Sequence, residues 1–276
     1  MERYMNINIL IKIVTFFCML LFGQVAFSQS DNTLWYKQPA ENFQESMVLG
    51  NGKMGASVFG GIDTDTIYLN DATLWSGEPV DENVNTETYK NLPAVREALR
   101  NENYRLADSL NKKLQGPFSQ SYEPLGTLLI DYKQSGIPEK YYRELNISDA
   151  VSKVSYKING TTYTREYFIS YPDQVMVIKL KASQKGALNF DLRFESLLKY
   201  KVAVSNHMLQ ARGYAPYDFK GGRMPKLLFD EHKGIRFTSL FKIKNSDGSL
   251  LKSDSTLGIR NATEAEIYIS TATSFN

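Results

Sequence analysis

From about Thr33 onward, the chain falls into short segments in which apolar and polar side chains alternate one for one, with Gly, Pro, Asn or Asp in the gaps. A period of two is the spacing of a strand with one face in a core and the other in water, and many such segments in succession pack as stacked antiparallel sheets. Leu188 to Glu195 is the clearest case, with Leu188, Phe190, Leu192 and Phe194 alternating with Asn189, Asp191, Arg193 and Glu195. Val154, Tyr156 and Ile158 lead into Asn159-Gly160, a pair that takes positive φ at low cost and favours a tight hairpin turn into Thr161 to Ser170. Tyr171-Pro172-Asp173 interrupts the run, because proline cannot donate to a ladder, and Val175 to Ala182 resumes it. Three consecutive antiparallel strands are predicted there. Similar runs lie at Ala56 to Gly60, Thr66 to Leu69, Thr127 to Tyr132, Ile235 to Lys244 and Ala265 to Thr271. The fold class is all-β, a large antiparallel β-sandwich (a supersandwich).

One stretch breaks the pattern. Between residues 91 and 115, Leu92, Val95 and Leu99, then Leu106, Ala107, Leu110 and Leu114, recur at helical spacing, with Pro93 suited to a first turn and Gly116-Pro117 as a stop. This predicts a short helical insert whose leucines cover apolar surface of the sandwich.

Residues 1–28 read as a secretory signal peptide: Arg3 and Lys12 precede an apolar stretch from Ile13 to Phe22, and small residues follow at Ala26 and Ser28. That stretch is about half of what a helix needs to cross a bilayer, so export to the periplasm or beyond the cell is expected rather than a membrane anchor. The only cysteine, Cys18, lies within it. The exported chain therefore has no thiol for a disulfide, a zinc site or a nucleophile. Lys and Arg number 32 against 30 Asp and Glu, scattered along the chain, so no basic stripe for nucleic acid is expected.

Chemistry-bearing motifs are sparse. Asp63-Thr64-Asp65 places two carboxylates at cation-binding spacing, but the flanking Gly60-Gly61 and Thr66 to Leu69 suggest a hairpin tip facing water, and no metal is expected. Gly50-Asn51-Gly52 reads as a strand-opening turn, since no lysine-threonine ending of a phosphate loop follows. His207 and His232 are the only histidines and are expected at the surface. No Gly-x-Ser-x-Gly elbow occurs, and nothing in the spacing of the acids picks out the carboxylate pair that glycoside hydrolysis requires. Gly213 to Arg223 is expected to be an irregular connection, in which Tyr214, Tyr217 and Phe219 either pin the loop to the sandwich or present rings to a sugar.

The segment MVLGNGKMGASVFGGIDTDTIYLNDATLWSG, Met47 to Gly77, goes further. It resembles the opening of glycoside hydrolase family 95, the α-L-fucosidase family, in the order Leu-Gly-Asn-Gly, a Gly-Gly hairpin, then Leu69, Asn70, Thr73, Leu74, Trp75, Ser76 and Gly77. Further similar stretches are YEPLGTLLIDY from Tyr122, YYRELNISDAVSKVSY from Tyr141 and TREYFISYPDQVMVIKL from Thr164, so the resemblance runs along nearly the whole exported chain.

The resemblance implies that residues 29–276 form the amino-terminal β-sandwich of a secreted, inverting glycoside hydrolase acting on terminal α-L-fucosyl linkages. The acid and the water-activating groups would lie in a downstream (α/α)6 barrel, the expected partner of this domain, and no catalytic residue carries over to this chain. The strand that ends at Phe275-Asn276 without a cap or polar tail is read as a cut. No cofactor is implied. Asn70, Asp71, Thr73, Trp75 and Tyr122 lie in the most family-like loops and are the candidates for substrate contact or, preferentially, for an interdomain interface plugged by Trp75. A stand-alone carbohydrate-binding sandwich is the alternative.

Overall fold

The computed structural model describes residues 32–79, 86–116, 120–220 and 226–275; the proposed leader, Pro117, Arg223 and Asn276 lie outside them. The strands are β1 Thr33–Tyr36, β2 Met47–Gly50, β3 Met54–Val58, β4 Thr64–Asp71, β5 Gly126–Tyr132, β6 Glu139–Asn146, β7 Val151–Ile158, β8 Thr161–Ser170 and β9 Val175–Ala182. They continue with β10 Leu188–Glu195, β11 Lys199–Ser205, β12 Met208–Tyr214, β13 Asp218–Lys220, β14 Lys226–Leu228, β15 Arg236–Asn245, β16 Ser249–Lys252, β17 Leu257–Ala262 and β18 Glu264–Thr273. Two large sheets result, a nine-stranded one ordered β1-β6-β7-β8-β9-β18-β15-β12-β11 and a seven-stranded one ordered β16-β17-β10-β5-β4-β3-β2. The all-β sandwich expected from the alternation is the observed fold.

Alternation turns into burial strand by strand. On β10 Leu188, Phe190, Leu192 and Phe194 are buried while their neighbours reach solvent. They meet Tyr156, Met176, Ile178 and Phe241 from the larger sheet in one apolar core. Each fully buried Leu or Phe contributes on the order of 1.5–3 kcal/mol relative to exposure. The β7–β8 turn has Asn159 and Gly160 at φ 48° and 84°, the double positive φ of the expected tight hairpin. The turn between β2 and β3 is tied by Asn51, whose Oδ1 accepts from the backbone N–H of Lys53 and Met54 at 3.0 and 2.8 Å.

Three expectations need correction. The insert holds two helices, α1 Leu92–Arg100 and α2 Tyr104–Asn111, with Pro93 in the first turn as predicted. Its leucines carry only part of the packing: Val95, Ala98 and Ala107 are buried, outside the sandwich core, Leu92, Leu110 and Leu114 are half-buried, and Leu99 and Leu106 are 48% and 47% exposed. The helices close on each other through small side chains, which leaves the longer ones on the flanks. The stretch after β12 is not irregular throughout, because Asp218–Lys220 and Lys226–Leu228 pair as a short hairpin.

The third correction concerns Asp63-Thr64-Asp65. Asp63 faces water, but Asp65 is 0% exposed, on the inward face of β4 with Ile67 and Leu69. Its Oδ1 accepts from the N–H groups of Gly60 and Gly61 at 2.8 and 3.2 Å. Its Oδ2 accepts from Arg165 Nη1 at 3.2 Å and from the Tyr167 hydroxyl. Arg165 also donates to the Gly61 carbonyl and the Tyr156 hydroxyl and lies 3.8 Å over the Tyr132 ring. The acid is buried because the other sheet supplies a fully buried cation opposite it. Burial pushes the Asp65 carboxyl above its ordinary range, against the pull of Arg165, Tyr167 and the two glycine amides.

Candidate functional site

Strand β4 ends on a second inward aspartate, and this one organises the family-like loop. Asp71, 0% exposed, accepts from the Thr73 N–H and hydroxyl through Oδ1 at 3.1 and 2.7 Å, a local turn that short polar side chains favour. Its Oδ2 accepts from the Thr271 hydroxyl on β18 at 2.7 Å, and the Thr73 and Thr273 hydroxyls lie 2.6 Å apart. Since Thr73 donates its hydroxyl to Asp71, the Thr273 hydroxyl is the donor in that pair. Asp71 and Thr73 follow from the smaller sheet and Thr271 and Thr273 belong to the larger, so these bonds clasp the two sheets at one end.

Beyond the clasp the chain is fastened to residues 120–123. Leu74 is fully buried, Ser76 N–H donates to the Ser121 carbonyl at 2.8 Å, and Glu123 N–H donates to the Leu74 carbonyl at 3.0 Å. Gly77 sits at φ 99°, and a Cβ there would come 2.5 Å from Gln120 Cγ, so both conformation and space call for glycine. This frame presents two aromatic rings. Trp75 and Tyr122 pair edge to face with centroids 5.6 Å apart, and they remain 39% and 43% exposed. Trp75 Nε1 donates to the Ala72 carbonyl at 3.0 Å, which fixes the indole plane. Burial, with a smaller push from the Asp71 carboxylate, raises the Tyr122 hydroxyl above its ordinary value, so it stays a neutral donor.

Of the five candidate residues, Asp71, Thr73, Trp75 and Tyr122 come together. Asn70 does not join them: alternation along β4 turns its side chain to the opposite side of the strand from Asp71. Trp75, with Tyr122 behind it, borders an open cleft of 560 Å³ whose other walls include Glu78, Gln120, His232, Arg236 and Phe275. Sequence reasoning missed these partners, because His232 to Arg236 and Phe275 reach the cleft only through the pairing of β15 with β18. His232 is exposed, as is His207. Glu78 is the single carboxylate among the described residues that line the cleft. Hydrolysis of a glycosidic bond ordinarily uses two. What the site can do is stack on an apolar face and offer hydroxyl and amide groups to polar ones. Among the described residues, no helix is long and apolar enough to cross a membrane.

The family described as "Glycosyl hydrolase family 65, N-terminal domain" matches residues 34–276. Alpha-L-fucosidase 2 of Arabidopsis thaliana is 30% identical over 256 residues, which cover 88% of this chain and 30% of that protein. Probable alpha-fucosidase A of Aspergillus niger is 30% identical over 161 residues, 55% of this chain and 20% of that protein. Among solved structures, a putative kojibiose phosphorylase from human microbiome aligns over 88% of this chain and 32% of its own, with TM-score 0.47 and 9% identity. The chain thus spans less than a third of the length of these relatives. Matched along almost all of its described length, it belongs to the glycosyl hydrolase family 65 N-terminal domain family and is a glycoside hydrolase amino-terminal domain.

Proposed function

We propose that the chain is the non-catalytic amino-terminal β-sandwich of an exported, inverting glycoside hydrolase of family 95, acting when whole on terminal α-L-fucosyl linkages. The observation that carries the reading is the likeness to proteins named as α-fucosidases over as much as 88% of the chain, together with a candidate cleft whose described lining holds one carboxylate. In this reading residues 1–28 direct export and residues 29–276 are the scaffold. A downstream helical barrel supplies the acid and the water-activating group. The Trp75–Tyr122 pair is the plug against that barrel: a half-exposed aromatic pair held by a fixed hydrogen-bonded frame gives a large contact area at low entropic cost. Asp71 and Thr73 then serve as supports for the interface, and Asn70, on the opposite side of β4, does not.

A stand-alone carbohydrate-binding module is the second reading, favoured by the half-exposed Trp75 ring in the wall of a 560 Å³ cleft. The two separate on one assay. The 276-residue chain and the whole gene product are each given an aryl α-L-fucoside, and the anomer released first is followed by NMR. The expected result is turnover with inversion by the whole protein and none by the chain alone. Turnover by the chain alone, or retention of configuration, refutes the proposal.

A further inference from the structure

The outer face of the nine-stranded sheet is charged in two opposite styles. Across six neighbouring strands one row reads Glu144, Lys153, Glu166, Lys179, Glu266, Lys244, each residue directly opposite the next in the register. Every charge there faces an opposite one, the arrangement that stabilises a solvated sheet face. At the far corner, the pattern fails. Lys201 on β11 stands directly opposite Arg212 on β12, and Lys199 and Arg236 flank Tyr214 from either side in the adjacent row. All four cations are exposed, and none is in an ion pair with a described residue. They line a trough of 890 Å³ together with Tyr214, Glu231 and His232. Like charges directly opposed on a sheet are destabilising, so this corner bears a cost that the rest of the same face avoids.

We propose that this trough binds an anionic oligosaccharide, one carrying sulfate or carboxylate groups. Charge complementarity selects an anion, and the ring among the cations suits a saccharide. Tyr214 is half-buried and braced edge to face by Phe229 at 6.3 Å, so a flat ring sits in the floor between four cations. A sugar lays the apolar face of its ring on such a surface while its charged substituents reach outward to Lys and Arg. Opposed residues on neighbouring strands are about 5 Å apart, and alternate residues along a strand about 7 Å, so the cations are spaced to meet substituents on one ring or on two linked rings. The charge argument is independent of the fucosidase reading; the choice of a glycan rests on the chain's place among glycoside hydrolase domains.

Calorimetric titration of the full-length protein tests this, with a sulfated hexasaccharide from heparin, its desulfated counterpart and a single-stranded oligonucleotide of equal charge. The sulfated sugar is expected to bind, more weakly as salt rises, with the desulfated sugar silent and the oligonucleotide at least about tenfold weaker. Lys201→Glu places an opposite charge across from Arg212, so it should raise Tm and lower affinity for the sulfated sugar about tenfold or more. Tyr214→Ala should weaken the sugar while leaving inorganic sulfate unchanged. No binding by the native protein, equal binding of the oligonucleotide, or a Lys201→Glu protein that binds as the native one does would overturn the proposal. Such a failure leaves the aryl fucoside result untouched, so the two readings fail separately.

Discussion

Arg165 is the side chain whose removal should cost the most. It is 2% exposed, pairs with the fully buried Asp65, and donates to the Gly61 carbonyl and the buried Tyr156 phenol. Replacing both partners of such a pair with apolar residues can be nearly neutral, but removing one strands the other. Arg165→Met should therefore lower the unfolding free energy by about 3–5 kcal/mol in urea titration. A loss below about 1 kcal/mol, the level of an exposed pair, would mean that the pair is not buried in solution. Neither Asp65 nor Arg165 was legible as a core residue, because polarity alone assigns such side chains to the wet face. The signal that could have found them is parity: both stand in phase with inward apolar neighbours, Ile67 and Leu69 for Asp65, Tyr163 and Tyr167 for Arg165.

At the scale of strands, what was legible is what one-sided burial imprints. The limits of β8, β9 and β10 coincide with those read from the alternation, and the Asn159-Gly160 turn lies where its chemistry puts it. Strands β1, β11 and β16 lie at sheet edges with few buried residues, so little period survives there, and the interior strands β6, β12 and β17 were missed as well. The candidate site was half legible. Its loop motif stood out, whereas the Thr271–Asp71 bond and the far wall of the cleft depend on pairings no local pattern encodes. The outer face of the smaller sheet supplies a pH prediction. Asp131 and Asp191 stand directly opposite one another on β5 and β10. Partial burial alone would raise both, but hydrogen bonds and charge from Arg193 and Thr64, and from Arg260 and Lys133, hold both below the ordinary carboxylate range. A depressed folded-state pKa adds stability above the ordinary Asp value and loses it as pH falls through the depressed one. Asp131→Asn should thus be less stable than the native protein at neutral pH, with the gap closing below about pH 4. Parallel melting curves at all pH values would contradict this; the effect is small because Arg193 is 40% exposed.

At the scale of the whole molecule, the clasped end and the helical insert are two of the places where large apolar side chains stay exposed. Trp75, Tyr122 and Phe275 are exposed around the cleft, and Leu99, Leu106 and Tyr104 on the helices. If the first group meets a catalytic barrel, Trp75→Ala in the whole protein should lower Tm by several degrees while leaving affinity for the product sugar within about twofold, since loss of packing falls on stability. Weaker product binding at unchanged Tm would instead make Trp75 a sugar contact. The sheet clasp carries a last consequence, in time rather than in space. Asp71 and Thr271 are separated by 200 positions, as are Thr73 and Thr273. Contacts of such long sequence separation are the slowest to close. The tryptophan loop must therefore wait for β18 to leave the ribosome before it can take its working shape.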